Sequence, residues 1–290
     1  MNYQAILESI QSDLKDYNNT GKVATYIPEL GKVDASKFGL HLNCINGNHY
    51  HLGASQERFS IQSISKVLSL AFALKLEGNK LWNRVDVEPS GDPFNSLVQL
   101  EYEKGIPRNP FINAGALVVS DILMSHLKNP KEDFLQYVRD IAGDQSIDYD
   151  TSVAASEMQH KYRNAALAHL MKDFKNINND VDALLDFYFH QCAIAMSCQQ
   201  LAQAFSIFLN YSKQDQSEQA LAVPTVIAKR INALMLTCGF YDESGEFAFR
   251  VGLPGKSGVG GGIVALHPKH YSIAVWSLSL IHISEPTRPY

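Results

Sequence analysis

A serine and a lysine three residues apart could form a catalytic pair. In the segment RFSIQSISKVLSLAFALKL, Ser63 and Lys66 lie at the start of a stretch that is apolar on nearly every helical face, and such a helix is buried. Side chains at i and i+3 share a helix face, so the lysine amine is expected beside the serine hydroxyl. A buried lysine can remove the serine proton because desolvation lowers its pKa. The pair therefore predicts acyl transfer, with Ser63 as nucleophile and Lys66 as general base.

The Ser-x-x-Lys spacing is not specific by itself. It also occurs at Ser12 and Lys15 and at Ser125 and Lys128, where charged neighbours are typical of solvated helix faces. The pair at Ser63 differs because its lysine is embedded in apolar sequence.

The glycine-rich stretch VGLPGKSGVGGGIVAL, residues 251–266, could be a phosphate-binding loop. A P-loop would need glycine at the position of Arg250, and the dinucleotide pattern Gly-x-Gly-x-x-Gly fails at Ile263. These two mismatches argue against a nucleotide site.

The tripeptide Lys256-Ser257-Gly258 in the same stretch has another interpretation. Enzymes with a Ser-x-x-Lys nucleophile carry Lys-Ser/Thr-Gly on a strand beside the serine, and a backbone N–H of that strand can help to form an oxyanion hole. A flexible glycine-rich turn remains the alternative.

The elements that would position these residues come from both ends of the chain. Two alternating runs joined by Asn46-Gly47 predict an early hairpin. Long helical patterns follow between Ser63 and Cys238, without a convincing strand, and strand patterns return in GEFAFRVGL, GGGIVALHP and HYSIAVWS. We expect an α+β fold, with an antiparallel sheet built from both chain ends and an inserted helical subdomain. Residues 1–277 are predicted to be one domain, with the sheet part in about 1–62 and 239–277, the helical part in about 63–238, and a site in the cleft between them.

The composition excludes several functions. The formal net charge is -5 and the basic residues are scattered, so nucleic acid is not an expected partner. No apolar run has the length of a signal peptide or membrane span, which favours a cytoplasmic protein without a membrane partner. The four cysteines and ten histidines show no metal-ligand spacing, so we expect buried free thiols and no metal.

Longer motifs strengthen the prediction. Together with the pair at Ser63, the segments GKVATYIPEL, RNPFINAGALVVSD, SEMQHKYRNAALA and TCGFYDESGEFAFRVGLPGKSGVGGGI closely resemble the serine-dependent glutaminase family, from about Val23 to Ser277. The resemblance implies a β-lactamase/transpeptidase-like fold. It also implies hydrolysis of L-glutamine to L-glutamate and ammonia through an acyl-enzyme, no cofactor, and a homo-oligomer, either a dimer or a tetramer.

The resemblance also implies the residues of the site. Tyr26 and Tyr188 match tyrosines near the serine, and a phenol there can relay a proton to the leaving ammonia. The N–H of Val259 would join that of Ser63 in the oxyanion hole, while Lys256, Ser257 and Gly258 would support the site. The role of Lys256 stays open between positioning and electrostatics. The residues implied to contact substrate are Ser63, Asn113, Glu157, Asn164, Tyr188, Tyr241 and Val259.

Glu157 and Asn164 are seven residues apart, which one continuous helix would place on a single face. Glu157 is the expected partner of the substrate α-ammonium, since a carboxylate pairs the charge and accepts hydrogen bonds. Without the resemblance, the two residues would be interpreted as a solvated helix face.

Two alternative functions remain. A β-lactamase or cell-wall transpeptidase shares both short motifs, although the apparent lack of a signal peptide counts against it. A non-catalytic amino-acid-binding module of the same fold is the other.

The C-terminal residues 278–290 do not fit the pattern. The string LSLIHISEPTRPY resembles a translated sequencing adapter. We therefore expect residues 278–290 to be a non-native tail that replaces the C-terminal end of the family.

Overall fold

The computed structural model describes residues 2–15, 23–24, 27–91, 95–209 and 223–278. The predicted catalytic Tyr26 and nearly all of the predicted tail, residues 279–290, lie outside these ranges. The described helices are α1 (Tyr3–Lys15), α2 (Ser65–Glu77), α3 (Leu97–Tyr102), α4 (Asn113–His126), α5 (Pro130–Ala142), α6 (Thr151–Gln159), α7 (Tyr162–Asp173), α8 (Val181–Cys192), α9 (Cys198–Phe205), α10 (Thr225–Cys238) and α11 (Ser244–Arg250). The described strands are β1 (Phe38–Cys44), β2 (His49–Gly53), β3 (Phe59–Ser60), β4 (Asp148–Tyr149), β5 (Ile194–Met196), β6 (Gly255–Gly258), β7 (Gly262–His267) and β8 (Tyr271–Ser277).

The main sheet joins the two ends of the described chain, as predicted. Its order is β2-β1-β8-β7-β6, and all four pairings are antiparallel. The hairpin between β1 and β2 turns at Asn46-Gly47, where Gly47 has φ +85°, a left-handed conformation that glycine adopts readily. Between β1 and β8, Leu40 pairs with Val275 and Leu42 pairs with Ile273. The last described strand is therefore held at the centre of the sheet by a strand from the first part of the chain.

Helices cover both faces of the sheet. On one face α1 places Leu7 against Leu40 and Leu52, and on the other α9 packs on β1 and β8. The helical layer is centred on α2, most of whose residues are buried and which packs against α4, α8 and α10. The 3₁₀ turn over Gln62–Ile64, directly before α2, packs against strand β6 where the helical layer adjoins the sheet.

Two expectations about strands were wrong. The region predicted as helical contains two short strands, β4 and β5, which form a second antiparallel sheet with β3. Strands of two or three residues are too short to show an alternating pattern. The segment GEFAFRVGL forms α11 instead of a strand, with Phe247 stacked on Phe240 at 3.7 Å between ring centres and Phe249 91% exposed. The two phenylalanines therefore follow a helical packing pattern, although they alternate with other residues in sequence.

The cysteines Cys44, Cys192, Cys198 and Cys238 are buried free thiols, as expected. Over the ranges that the structure describes, the helices are too short or too polar to traverse a bilayer.

Candidate active site

Ser63 lies in a tight turn at the start of α2. A 3₁₀ turn over Gln62–Ile64 continues directly into the helix. Gln62 has φ +50°, which is uncommon for a residue with a side chain. Its Nε2 donates to Ser60 Oγ at 2.9 Å, and Ser60 Oγ donates to the carbonyl oxygen of Cys192 at 2.9 Å. The turn that presents Ser63 is thus tied to the end of α8.

Lys66 is buried in the first turn of α2, as the apolar sequence around it predicted. Its side chain is 1% exposed. The Nζ atom donates to the carbonyl oxygen of Phe111 at 3.1 Å, to Asn113 Oδ1 at 2.8 Å and to the Tyr241 hydroxyl at 3.3 Å. A lysine amine is therefore held by polar groups next to the predicted nucleophile.

Asn113 connects this lysine to the opposite wall of the site. It begins α4 after a turn in which Asn109 Oδ1 accepts from the N–H groups of Phe111 and Ile112 at 3.0 and 3.1 Å. While Asn113 Oδ1 accepts from Lys66, its Nδ2 donates to Asn164 Oδ1 at 3.0 Å. These contacts bring α2, α4 and α7 together at one point.

Strand β6 and the turn after it form the other wall. Lys256, Ser257 and Gly258 are buried in β6. A Cβ atom added at Gly258 would lie 2.5 Å from the carbonyl oxygen of Ile61, and one added at Gly260 would lie 2.1 Å from that of Ser60. Glycine is therefore needed for this backbone to approach the segment that precedes Ser63. The flexible-turn interpretation of the Lys-Ser-Gly stretch is wrong, because these residues form a buried strand.

A cavity of about 180 Å³ opens at Ser63, and it is smaller than the roughly 300–1,000 Å³ of typical drug-sized ligand pockets. It is lined by the predicted residues Ser63, Asn113, Glu157, Asn164, Tyr188 and Val259, and also by Ile27, Gln62, Asn95, His160, Arg163 and Cys192. Its size suits a small, polar substrate. No group of three or more histidine, cysteine or acidic side chains suited to a metal ion occurs within the described ranges.

Tyr188 and Cys192 form the buried floor of the cavity on α8. Burial, followed by the nearby Cys192 and Glu157, raises the pKa of Tyr188 well above its ordinary value. Burial is also the main cause that raises the pKa of the Cys192 thiol to about 12. Both groups are protonated at neutral pH, so the Tyr188 hydroxyl is available as a proton donor.

Tyr241 contacts Lys66, and Lys256 contacts the ring of Tyr241. Tyr241 has φ +55° in the turn that precedes α11. Its ring centre lies 4.2 Å from Lys256 Nζ and 5.6 Å from Lys66 Nζ. One aromatic ring therefore contacts two buried lysine amines.

The route by which Glu157 and Asn164 reach the cavity differs from the prediction. They do not share one helix, because α6 ends at Gln159 and α7 begins at Tyr162. Both still line the cavity, since the corner between the two helices faces it. No glycine or proline marks this corner in the sequence, so the continuous helical pattern hid it.

Four polar residues of the cavity were missed from the sequence: Gln62, Asn95, His160 and Arg163. His160 lies in the corner itself, where its Nδ1 donates to the carbonyl oxygen of Ser156 at 2.8 Å. Arg163 follows on the first turn of α7. The signal in the sequence was that His160 and Arg163 lie close to Glu157 and Asn164. It would have predicted a place in the cavity only if the break between α6 and α7 had been known.

Comparisons with known proteins place the chain in a family. The glutaminase family model matches residues 21–285. The chain is 59% identical over 277 residues to a glutaminase of Christiangramia forsetii, covering 96% of this chain and 91% of that protein. Among solved structures, one described as probable glutaminase ybaS has a TM-score of 0.88 at 29% identity, covering 99% of this chain and 94% of its own. A structure of Mglu in its tris and glutamate form also has a TM-score of 0.88 at 29% identity. The match covers 97% of this chain and 63% of the Mglu chain. These neighbours confirm the predicted α+β, β-lactamase-like fold, and the chain belongs to the glutaminase family.

Proposed function

We propose that this protein hydrolyses L-glutamine to L-glutamate and ammonia through an acyl-enzyme on Ser63. The observation that carries the proposal is the buried Lys66 one helical turn after Ser63, together with the small cavity that Ser63 and Val259 line. The family relationship supports the same reaction.

In the proposed first step, Lys66 accepts the Ser63 proton while Oγ forms a bond to the side-chain amide carbon of glutamine. The negative charge that develops on the amide oxygen is stabilised by the backbone N–H groups of Ser63 and Val259. The C–N bond then breaks, and the nitrogen leaves as ammonia after receiving a proton from the Tyr188 hydroxyl. Because Tyr188 is protonated at neutral pH, it can supply that proton. The proton that Lys66 took from Ser63 passes to the Tyr188 oxygen, so both side chains return to their starting forms before the second step.

In the second step, water attacks the glutamyl ester on Ser63, and Lys66 takes a proton from the water. The ester C–O bond breaks and Ser63 recovers its proton. The products are free L-glutamate and the original enzyme, so the reaction needs no group beyond those of the chain and water. We propose that Tyr26, which lies outside the described residues, assists the proton relay.

The α6–α7 corner is the proposed site for the charged end of the substrate. Glutamine carries an ammonium and a carboxylate on the same carbon, and the corner offers one charge of each complementary sign, Glu157 and Arg163, beside Asn164. Glu157 would pair with the ammonium and Arg163 with the carboxylate, since ionised partners form the stronger hydrogen bonds. We propose that Asn113 and Tyr241 also contact the substrate, and that Ser257 and Gly258 support the site.

Ammonia release separates this function from its alternatives. The wild type and Ser63→Ala are compared on L-glutamine, L-asparagine and a β-lactam, and the β-lactam ring opening is followed by absorbance. We expect release from L-glutamine by the wild type and at least a 10³-fold loss in Ser63→Ala, with the circular dichroism spectrum unchanged. Turnover of the β-lactam alone would replace the proposed function by the β-lactamase alternative, and L-glutamine binding without turnover would replace it by the binding module.

Three further properties of the chain are proposals. We propose that residues 1–277 form a single domain, which a single cooperative unfolding transition would support. We propose a homo-oligomer, either dimer or tetramer, to be measured by light scattering. We also propose a cytoplasmic location, which is compatible with the four buried free thiols and can be tested by cell fractionation.

A further inference from the structure

We infer that Lys256 is an electrostatic positioning residue: its ammonium, held on the face of Tyr241, keeps Lys66 in the neutral form that accepts the Ser63 proton. This inference rests on the proposed function, because it assigns Lys66 the role of base. It gives a role to the lysine of the Lys-Ser-Gly motif, which the sequence left open.

The geometry places two lysines on one tyrosine. Lys256 is 0% exposed and its Nζ lies 4.2 Å from the ring centre of Tyr241. Lys66 is 1% exposed, with its Nζ 5.6 Å from the same ring centre and 3.3 Å from the hydroxyl oxygen. The two amines thus contact the same ring in an interior where charges are poorly screened.

Several titratable groups lie around the pair. Burial holds the pKa of Tyr188 well above its ordinary value and raises that of Cys192 to about 12, so both are neutral at neutral pH. Burial likewise raises the pKa of Cys238, a neighbour of Lys256. The titratable groups near the two lysines include Tyr241, Tyr188, Cys192, Cys238, Glu157 and Glu88.

Two nearby ammonium groups repel each other, so one lysine releases its proton more readily. The two N–H groups of a neutral Lys66 still satisfy its two acceptors, the Phe111 carbonyl oxygen and Asn113 Oδ1. We place the charge on Lys256, because its Nζ donates to the carbonyl oxygen of Ser257 at 2.8 Å and lies over the negative face of the Tyr241 ring, nearer to the ring centre than the Nζ of Lys66. Lys66 can make its contact with the Tyr241 hydroxyl in either form, because a neutral amine accepts from that hydroxyl. The proton is therefore lost from Lys66, the lysine next to the nucleophile.

The dependence of kcat/KM on pH tests this inference. Lys256→Gln removes the charge but keeps a donor for the Ser257 carbonyl, and Lys256→Arg keeps the charge. Both are compared with the wild type on L-glutamine between about pH 5.5 and 9.5. In Lys256→Gln we expect the acidic limb of the profile to move to higher pH by about one unit. The kcat/KM should then fall about tenfold at neutral pH and return to the wild-type value at alkaline pH. Lys256→Arg should keep the wild-type limb.

A purely structural role for Lys256 predicts a different result. An equal loss at every pH in Lys256→Gln, or a shifted limb in Lys256→Arg, would overturn the inference. If Lys256→Gln folds poorly, the ε-carbon resonance of Lys66 is titrated by NMR in wild type and Lys256→Arg, where a wild-type Lys66 still charged at pH 9 would overturn it. The failure of the proposed function itself is seen separately, as a wild type that does not release ammonia.

Discussion

Lys66 and Asn113 are joined by a hydrogen bond of 2.8 Å from the lysine amine to the amide oxygen. The same amide donates to Asn164 at 3.0 Å. The proposed base is therefore connected through one side chain to the wall that would hold the charged end of the substrate.

Asn113→Asp is expected to inactivate the protein at neutral pH. A carboxylate next to Lys66 would favour its ammonium form, so kcat/KM should fall at least 10-fold at pH 7 and recover partly at higher pH. Asn113→Ala removes the amide without adding charge and should lower kcat/KM with no such recovery. The pH profiles of the two variants check this. Parallel profiles for the two would show that charge at this position does not act on Lys66.

Glu157→Gln and Arg163→Met are expected to show opposite specificities. The substrates are L-glutamine, 4-aminobutanamide, which lacks the carboxylate, and 4-carbamoylbutanoate, which lacks the ammonium. Losing a charge-assisted hydrogen bond should raise KM by about 10- to 100-fold. Glu157→Gln should raise the KM for L-glutamine and 4-aminobutanamide. Arg163→Met should raise the KM for L-glutamine and 4-carbamoylbutanoate.

The exposed Arg250 offers a matched control, since it pairs with Glu246 on α11. Arg250→Met should leave the KM for all three substrates unchanged. If Arg163→Met raises the KM for all three substrates by the same factor, Arg163 does not recognise the carboxylate.

Tyr188→Phe is expected to lower kcat by about 10²- to 10⁴-fold, because the leaving nitrogen loses its proton donor. Binding of the product L-glutamate, measured by calorimetry, should weaken much less. Tyr149→Phe is the matched control, because Tyr149 is another tyrosine with a pKa raised by burial and donates to the Lys131 carbonyl at 2.6 Å, outside the cavity. Equal effects of the two substitutions on kcat would show that Tyr188 serves packing alone.

Gly260→Ala is expected to destabilise the protein by about 1–3 kcal/mol, the usual cost of overpacking. Its Cβ would lie 2.1 Å from the Ser60 carbonyl oxygen, so the turn that follows Val259 must move. Gly245→Ala on α11 meets no atom within 4 Å and should leave stability unchanged or slightly higher. Urea unfolding measures both. An unchanged unfolding midpoint in Gly260→Ala would show that the two backbones do not need to be this close.

His41→Gln is expected to reduce the loss of stability in acid. Burial, followed by His49 and His51, lowers the pKa of His41 to about 4, below its unfolded value of about 6.5. The folded state then binds fewer protons, so this contribution to stability is present above pH 6.5 and is lost as the pH falls towards 4. In urea unfolding, the wild type should lose stability more steeply over this range than His41→Gln. The exposed His169→Gln is the control and should follow the wild type.

The sequence predicted those parts of the site that depend on local pattern. The apolar run around Lys66 predicted its burial, Asn46-Gly47 predicted the hairpin, and the runs of β7 and β8 predicted strands of one antiparallel sheet. These signals were sufficient because each is decided by neighbouring residues.

Parts that depend on contacts between distant segments could not be predicted in this way. Arg163 and Asn95 line the cavity only because a helix breaks after Gln159 and the chain returns from elsewhere. The conformation of α11 depends on Phe247 packing against Phe240, and that contact overrides a strand-like alternation. The position of Lys256 over Tyr241 likewise combines two segments that carry no common pattern.

The sheet order β2-β1-β8-β7-β6 has a consequence for the protein during its synthesis. The turn that bears Ser63 is made before β6, which packs against it. Strand β6 is joined to β1 only through β7 and β8. Such pairing between distant segments closes slowly. A nascent chain would therefore carry Ser63, the proposed nucleophile, without the wall that contains β6 until the ribosome has released β6, β7 and β8.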